Sequence, residues 1–101
     1  MSNAFVVTAA ALRRLAEELR DLNSQYKAKV ENLAALEQEL RSMWEGEANQ
    51  AFQRAFANDK VSLDQFYAVI ERYIEALLQA AAEYERAEAQ AKDIATTRTY
   101  H

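Results

Sequence analysis

Proline and cysteine are absent from this 101-residue chain, and glycine occurs once, as Gly46. A chain with so few turn-forming residues is a poor candidate for an all-β fold, which needs many tight turns. The lack of cysteine excludes disulfides, thiol catalysis and thiolate metal sites. The single histidine is His101, so no internal histidine can serve as a catalytic base or as a ligand of a di-iron site. We therefore predict an all-α protein with no catalytic residue, no metal site and no cofactor.

Charge is interspersed along the chain and is not concentrated in one patch. Twelve basic residues stand against sixteen acidic ones, for a net charge of −4. Nucleic acid is not an expected partner, because binding its phosphates requires a basic surface. No apolar run approaches the ~20 residues of a membrane span, so stable membrane insertion is not expected. The first residues lack the basic leader and hydrophobic run of a secretory signal peptide, which by itself would indicate a cytoplasmic protein.

Apolar residues in the first half of the chain recur every seven residues, as in a coiled coil. Thr8 is a suitable N-cap for a first helix over about 8–42. Lys29 is the one polar interruption; it can lay its methylenes along the helix and keep its ammonium in water, or set the register. The two apolar series predicted to form the seam, the line along which two helices pack, are Leu12, Leu19, Tyr26, Leu33 and Leu40, and Leu15, Leu22, Leu36 and Met43.

The second half carries a matching pattern, interrupted at Asp59. Its two series are Phe56, Leu63, Ile70, Leu77, Tyr84 and Ala91, and Phe52, Phe66, Tyr73, Ala80, Ala87 and Ile94. A capping box after residues 58–60 would divide this half into two helices. The unchanged seven-residue phase favours one continuous helix over about 48–94. We thus predict a hairpin domain over 1–95 and a flexible tail over 96–101.

A single hairpin of this length buries too little apolar surface to be comfortably stable by itself. Between residues 66 and 78 the second helix also has a wider apolar face than one seam requires. A second hairpin would cover that face and complete an antiparallel four-helix bundle, with a homodimer favoured over a heterodimer. The residues predicted at this dimer interface are Phe66, Tyr67, Ile70, Ile74, Leu77 and Leu78.

The turn between the two helices is predicted at residues 43–47. Gly46 can adopt the left-handed conformation that ends a helix, and Trp44 supplies a large apolar ring where the helices diverge. On these residues alone, a glycine cap beside a core tryptophan explains the turn about as well as a functional motif does.

The Trp44-Glu45-Gly46 tripeptide, midway between two long helical patterns, resembles the signature of the WXG family of small type VII secretion substrates, the early secretory antigenic target-like proteins. Tyr84 and Glu88 are similarly spaced to the family's Tyr-X-X-X-Asp/Glu export signal and lie late in the second helix, as in the family. The resemblance implies a folded dimer, homodimeric or paired with a related WXG protein, that is secreted without a cleaved signal peptide. It also implies that an FtsK/SpoIIIE-like secretion ATPase recognises Tyr84 and Glu88, with the turn of the opposite subunit nearby.

Two functions are therefore open. The first is a type VII (ESX/Yuk-type) secretion substrate that acts as an effector, an adaptor or a co-export partner. The second is an intracellular coiled-coil scaffold with coincidental motifs. By spacing alone, Tyr84 is more readily explained as a core aromatic residue; the family resemblance instead favours the export signal.

Overall fold

The computed structural model describes residues 7–99, which form an antiparallel hairpin of two helices without strands. Helix α1 spans Ala9–Met43 and helix α2 spans Glu47–Thr99. The hairpin is a rod with extents of 84 × 28 × 16 Å. The predicted all-α helical hairpin is thereby confirmed.

Helix α1 begins at the predicted cap. The hydroxyl of Thr8 accepts a hydrogen bond from the backbone amide of Ala11 at 3.0 Å, which satisfies one of the free amides of the first turn. The alanines that follow have the highest helix propensity. The helix ends after Met43 because Trp44 is in an extended conformation, with φ −131° and ψ 113°.

Helix α2 is continuous, and no break occurs near residues 58–62. It also extends past the predicted end at residue 94, so that residues 96–99 are helical where a flexible tail was expected. The reason is that no proline or glycine follows Gly46, and nothing in the alanine-rich end of the helix forces it to stop. The remainder of the predicted tail, Tyr100 and His101, lies outside the described residues.

On α1, only one of the two apolar series predicted to form the hairpin seam packs against α2. The first series is confirmed in part: Leu12, Leu19, Tyr26 and Leu40 are half-buried, whereas Leu33 is exposed. The second series was wrong, because its members point away from α2, with Leu22 60 % and Met43 70 % exposed. The residues that occupy this line of the seam are Ala9, Ala16, Asn23, Val30 and Glu37.

Helix α2 shows the same shift. Phe56, Leu63, Ile70 and Leu77 are half-buried against α1, as predicted. Ile74 and Ala81 complete the seam, with Ile74 only 2 % exposed. Phe52, Phe66 and Tyr73, predicted in the seam, are exposed instead. Small and polar residues line the closest approach of the helices, so the bulkier leucines and aromatics are displaced to one side.

Two polar side chains tie the helices together across the seam. The hydroxyl of Tyr26 donates to the backbone carbonyl of Leu63 at 2.8 Å. The amide nitrogen of Asn23 donates to the backbone carbonyl of Tyr67 at 3.2 Å and to Glu71 at 2.8 Å. These directional bonds fix which residues of α1 and α2 lie at the same height along the hairpin.

The hairpin consequently has two unlike faces. One, hereafter the apolar face, carries the exposed side chains Leu15, Leu22, Leu36 and Met43 of α1 and Phe52, Phe66 and Tyr73 of α2. The other is charged: Lys60 pairs with Asp64 at 2.9 Å, and the ammonium of Lys27 lies over the Tyr67 ring, 5.3 Å from its centre. An isolated hairpin of this kind leaves a long apolar surface in water.

Candidate secretion signal and pairing surface

The turn contains the tryptophan and the glycine that the sequence singled out. The Trp44 ring packs against Phe52, with ring centres 5.8 Å apart. The Asn49 side-chain amide donates to the backbone carbonyl of Trp44, and the Gln53 amide donates to Asn49 at 3.0 Å. The tryptophan is therefore held by the first turns of α2, beside the exposed aromatic end of the apolar face.

Gly46 has a positive φ of 116°, as the sequence suggested, but its place in the turn differs from the prediction. It precedes the first residue of α2 and does not cap the end of α1. Its carbonyl accepts the first backbone bond of that helix, from the amide of Gln50 at 3.2 Å. Glu47, in the first turn, interacts favourably with the positive end of the helix dipole.

Tyr84 and Glu88 lie one helical turn apart on the same side of α2, and both are exposed. Helix α1 starts at Ala9, so it covers α2 only as far as the Arg13–Glu85 ion pair, whose closest atoms are 2.6 Å apart. From residue 83 to residue 97 every side chain of α2 is exposed. The candidate signal thus stands where α2 extends beyond α1 as a folded, accessible helix.

Two carboxylates in this segment, those of Glu85 and Glu88, differ in whether they form an ion pair. The guanidinium of Arg13 donates two hydrogen bonds to Glu85, at 2.6 and 3.1 Å. This hydrogen bonding, with the positive charge of Arg13, lowers the pKa of the Glu85 carboxyl from its ordinary value. Within the described part of the chain Glu88 makes no such pair, so its carboxylate is available to a partner.

A single hairpin does not bring the turn and the candidate signal together. Trp44 is at one end of the rod, and Tyr84 is 37 residues beyond the start of α2, a helix length of roughly 55 Å. A composite site built from both therefore requires a second chain.

The predicted interface residues fall into three groups. Phe66 is 51 % exposed and lies on the apolar face. Tyr67, Ile70, Leu77 and Leu78 are half-buried. Ile74 is buried against its own hairpin and offers almost no surface to a second chain. Leu22, Leu36, Met43, Phe52 and Tyr73 are exposed apolar residues that this prediction omitted, because the sequence pattern had assigned them to the hairpin seam.

Two shallow grooves run between the helices on the apolar face. One, of about 260 Å³, is lined by Leu19, Leu22, Asn23, Tyr26, Phe66 and Ile70. The other, of about 130 Å³, is lined by Leu33, Leu36, Glu37, Leu40, Phe52 and Phe56. Each is bordered by side chains from both helices, so the exposed rows of α1 and α2 belong to one continuous surface.

The described residues offer neither a metal site nor a membrane span. Across residues 7–99 no three His, Asp or Glu side chains cluster in a way that would hold a metal ion. Neither of the two described helices has a stretch apolar and long enough to cross a membrane. What the described residues present is the apolar face and the exposed end of α2.

Comparison with known proteins agrees with the hairpin and its turn. The sequence model of the WXG100 family, described as proteins of 100 residues with WXG, matches residues 5–89. Searches among curated proteins and among solved structures found no match. The matched segment includes α1, the Trp44-Glu45-Gly46 turn and α2 as far as residue 89, with Tyr84 and Glu88. On this match over most of its length, the chain belongs to the WXG100 family.

Proposed function

We propose that this protein is a type VII secretion substrate, exported as a folded pair of hairpins, with Tyr84 and Glu88 as the export signal. WXG100 membership supports a small type VII-like secreted helical protein. The observation that carries the finer proposal is the end of α2, where both side chains stay exposed on a helix that α1 does not cover. A groove on an FtsK/SpoIIIE-like ATPase can then bind the phenol and the carboxylate together.

The paired state is part of the proposal. A row of exposed leucines and aromatics on one face is unfavourable in water, at about 25 cal/mol for each Å² of apolar surface. Such a surface on a small protein marks an interaction site. A second WXG hairpin is a matching cover, and the exported pair then acts as a co-export partner, an adaptor or an effector.

Secretion of point variants tests the signal. In the source organism, the native chain is expected in the culture supernatant, whereas Tyr84→Ala and Glu88→Ala are expected to remain in the cells. The measurement is an immunoblot of both fractions, with a cytosolic marker to exclude lysis. Glu83→Ala is the matched control, since Glu83 is also exposed and, among the described residues, unpaired, but lies on another side of the helix.

Circular dichroism of the same variants separates recognition from folding. Because both side chains are exposed, helix content and melting temperature should change little for any of the three substitutions. Retention of native protein in the cells while the secretion system is active would contradict the proposal. That result would favour the alternative, an intracellular coiled-coil scaffold.

A further inference from the structure

We propose that Asn49, with its amide oriented by Gln53, is a positioning residue for Trp44. It holds the backbone of the turn so that the tryptophan ring is fixed against Phe52 before a second chain covers the apolar face. The inference rests on the paired state in the proposed function and deepens it, because it names a residue on which the affinity of that pair depends.

The turn contains a backbone carbonyl that lies outside both helices. Trp44 follows the last residue of α1 and is extended, with φ −131° and ψ 113°. Carbonyls at the end of a helix lack the amides of a following turn and need another donor. Gly46, directly before α2, has no side chain to supply one. The donor is instead the side-chain amide of Asn49, the third residue of α2, which bonds to the Trp44 carbonyl.

Asn49 is buried, and both ends of its amide are bonded. Its exposed fraction is 8 %, and its oxygen accepts from the side-chain amide of Gln53, one turn along α2, at 3.0 Å. A buried amide with both ends bonded keeps one orientation, since turning it around would set donor against donor and acceptor against acceptor. Gln53 therefore determines how Asn49 is oriented, and Asn49 determines where the Trp44 carbonyl lies.

Trp44 is thereby held at two points. Asn49 binds its carbonyl, and Phe52 packs against its ring with centres 5.8 Å apart. Phe52 in turn stacks on Phe56, with ring centres 6.5 Å apart. Residues 49, 52, 53 and 56 share one side of α2, because residues three and four apart on a helix are neighbours. One side of the first turns of α2 thus supports both the backbone and the ring of the tryptophan.

Phe52 connects this support to the apolar face. It is 39 % exposed, and together with Phe56 it lines the smaller groove opposite Leu36 and Leu40 of α1. Side chains that must become ordered on association reduce the affinity, so a groove with fixed walls binds more tightly. The fixed ring of Trp44 therefore prepares this end of the apolar face for the side chains of a second chain.

The competing explanation is that Asn49 serves only the first turn of α2. Asn49→Asp distinguishes the two, because the side chains are nearly the same size. A carboxylate in the first turn of a helix interacts favourably with the positive end of the dipole. It has no proton to donate at neutral pH, so it cannot bond to the Trp44 carbonyl. A purely local role predicts that Asn49→Asp is tolerated, whereas the positioning role predicts that Trp44 is released.

Gln53→Glu tests the orientation of the amide without changing Asn49. A carboxylate at this position can only accept, so it should draw the Asn49 nitrogen away from the Trp44 carbonyl. Gln50→Glu is the matched control, because Gln50 is exposed in the same part of α2 and undergoes the same change from amide to carboxylate.

Fluorescence follows Trp44 directly, because the chain has one tryptophan. In Asn49→Asp and Gln53→Glu, the emission should shift to longer wavelength and acrylamide should quench it more strongly than in the native protein and in Gln50→Glu. The samples are compared at a concentration where sedimentation gives them the same association state, and circular dichroism shows that each is folded. Native emission and quenching in folded Asn49→Asp would overturn the proposal.

Sedimentation equilibrium measures the consequence for pairing. Asn49→Asp should raise the Kd about tenfold, roughly the effect of one side chain that must become ordered on association. Gln50→Glu should keep a Kd close to the native one. An unchanged Kd in an Asn49→Asp protein with altered fluorescence would overturn the claim that a fixed Trp44 favours pairing.

A double-mutant cycle shows whether Asn49 acts through Trp44. Trp44→Ala removes the ring and keeps the carbonyl. In that background Asn49→Asp should have little further effect on the Kd, because no ring is left to position. A role confined to the helix would not depend on the ring, so independent, multiplying effects of the two substitutions would contradict the proposal.

These measurements use purified protein and need no secretion system. A chain that pairs and responds to Asn49→Asp as expected, but is never secreted, contradicts the proposed function alone. A secreted chain in which Asn49→Asp leaves the fluorescence and the Kd unchanged contradicts the positioning role alone.

Discussion

At the scale of single residues, Gly46 is required for its backbone and not for its small size. A β-carbon built on Gly46 would meet no atom within 4 Å. Its φ of +116°, however, lies in a region that other residues rarely adopt. The turn therefore constrains the conformation at this position, while the space around it is open.

Substitution of Gly46 by alanine tests that constraint. We expect Gly46→Ala to lower the free energy of unfolding by about 1–3 kcal/mol, the usual cost of a strained backbone conformation. Urea denaturation followed by circular dichroism measures it, with Glu45→Ala as the control because Glu45 is exposed in the same turn. Equal stability of the two variants would mean that the turn can relax to accommodate a side chain.

At the scale of the helices, the unequal lengths of α1 and α2 determine which part of the chain is accessible. Helix α1 has 35 residues and helix α2 has 53, so among the residues that the structure describes the end of α2 extends beyond α1. The Arg13–Glu85 pair is the last tie between the helices on that side. The pair holds α2 against α1 immediately after Tyr84, whereas Glu88, in the following turn, has no ion-pair partner within residues 7–99.

This tie predicts a pH dependence. Hydrogen bonding to Arg13 lowers the pKa of Glu85 in the folded chain. The contribution of the pair to the free energy of unfolding is therefore complete at pH values above the ordinary carboxyl pKa of 4.5. It is lost as the pH falls below that value and through the lowered pKa. Titration of the carboxyl carbons by NMR should therefore give Glu85 a pKa below that ordinary value.

Removal of the arginine provides the matched comparison. Arg13→Gln should return the pKa of Glu85 to its ordinary range. Any stability difference between native and Arg13→Gln protein should be present at neutral pH and vanish in acid. An unaltered Glu85 titration in the variant would show that the ion pair is not formed in solution.

At the scale of the whole molecule, some apolar residues pack within the hairpin and others are exposed to a second chain. Ile74 is buried within one hairpin, whereas Leu36 is 62 % exposed on the apolar face. The first stabilises the chain's own fold, because it packs between α1 and α2. The second contributes only when another chain covers it.

Substitution of Ile74 and of Leu36 by aspartate distinguishes an effect on folding from an effect on association. Ile74→Asp buries an unpaired charge and should abolish the helical signal in circular dichroism. Leu36→Asp should retain helix content but weaken association, seen as a lower mass in sedimentation at equal concentration. If both variants lost helix content to the same extent, folding and pairing would be a single step in this protein.

Much of the architecture follows from sequence alone. A seven-residue apolar repeat on both sides of a lone glycine specifies two long helices and one turn. Without further glycine or proline, nothing interrupts α2 at Asp59, and the unchanged phase across that residue predicts its continuity. Thr8 is recognisable as a cap because its hydroxyl can satisfy a free amide of the first turn. Trp44, Gly46, Tyr84 and Glu88 are singled out by their resemblance to the two motifs of the family, since spacing alone would explain Tyr84 as a core residue.

Which apolar residues pack within the chain and which remain outside depends on how the two helices approach each other. A seven-residue repeat places large side chains on one broad side of a helix, but it does not specify the angle from which the neighbour approaches. Here α2 approaches α1 over Ala16 and Asn23, since small residues permit close contact and Asn23 gains two hydrogen bonds there. Leu22 and Leu36 are consequently left on the apolar face, although the sequence pattern had assigned them to the seam.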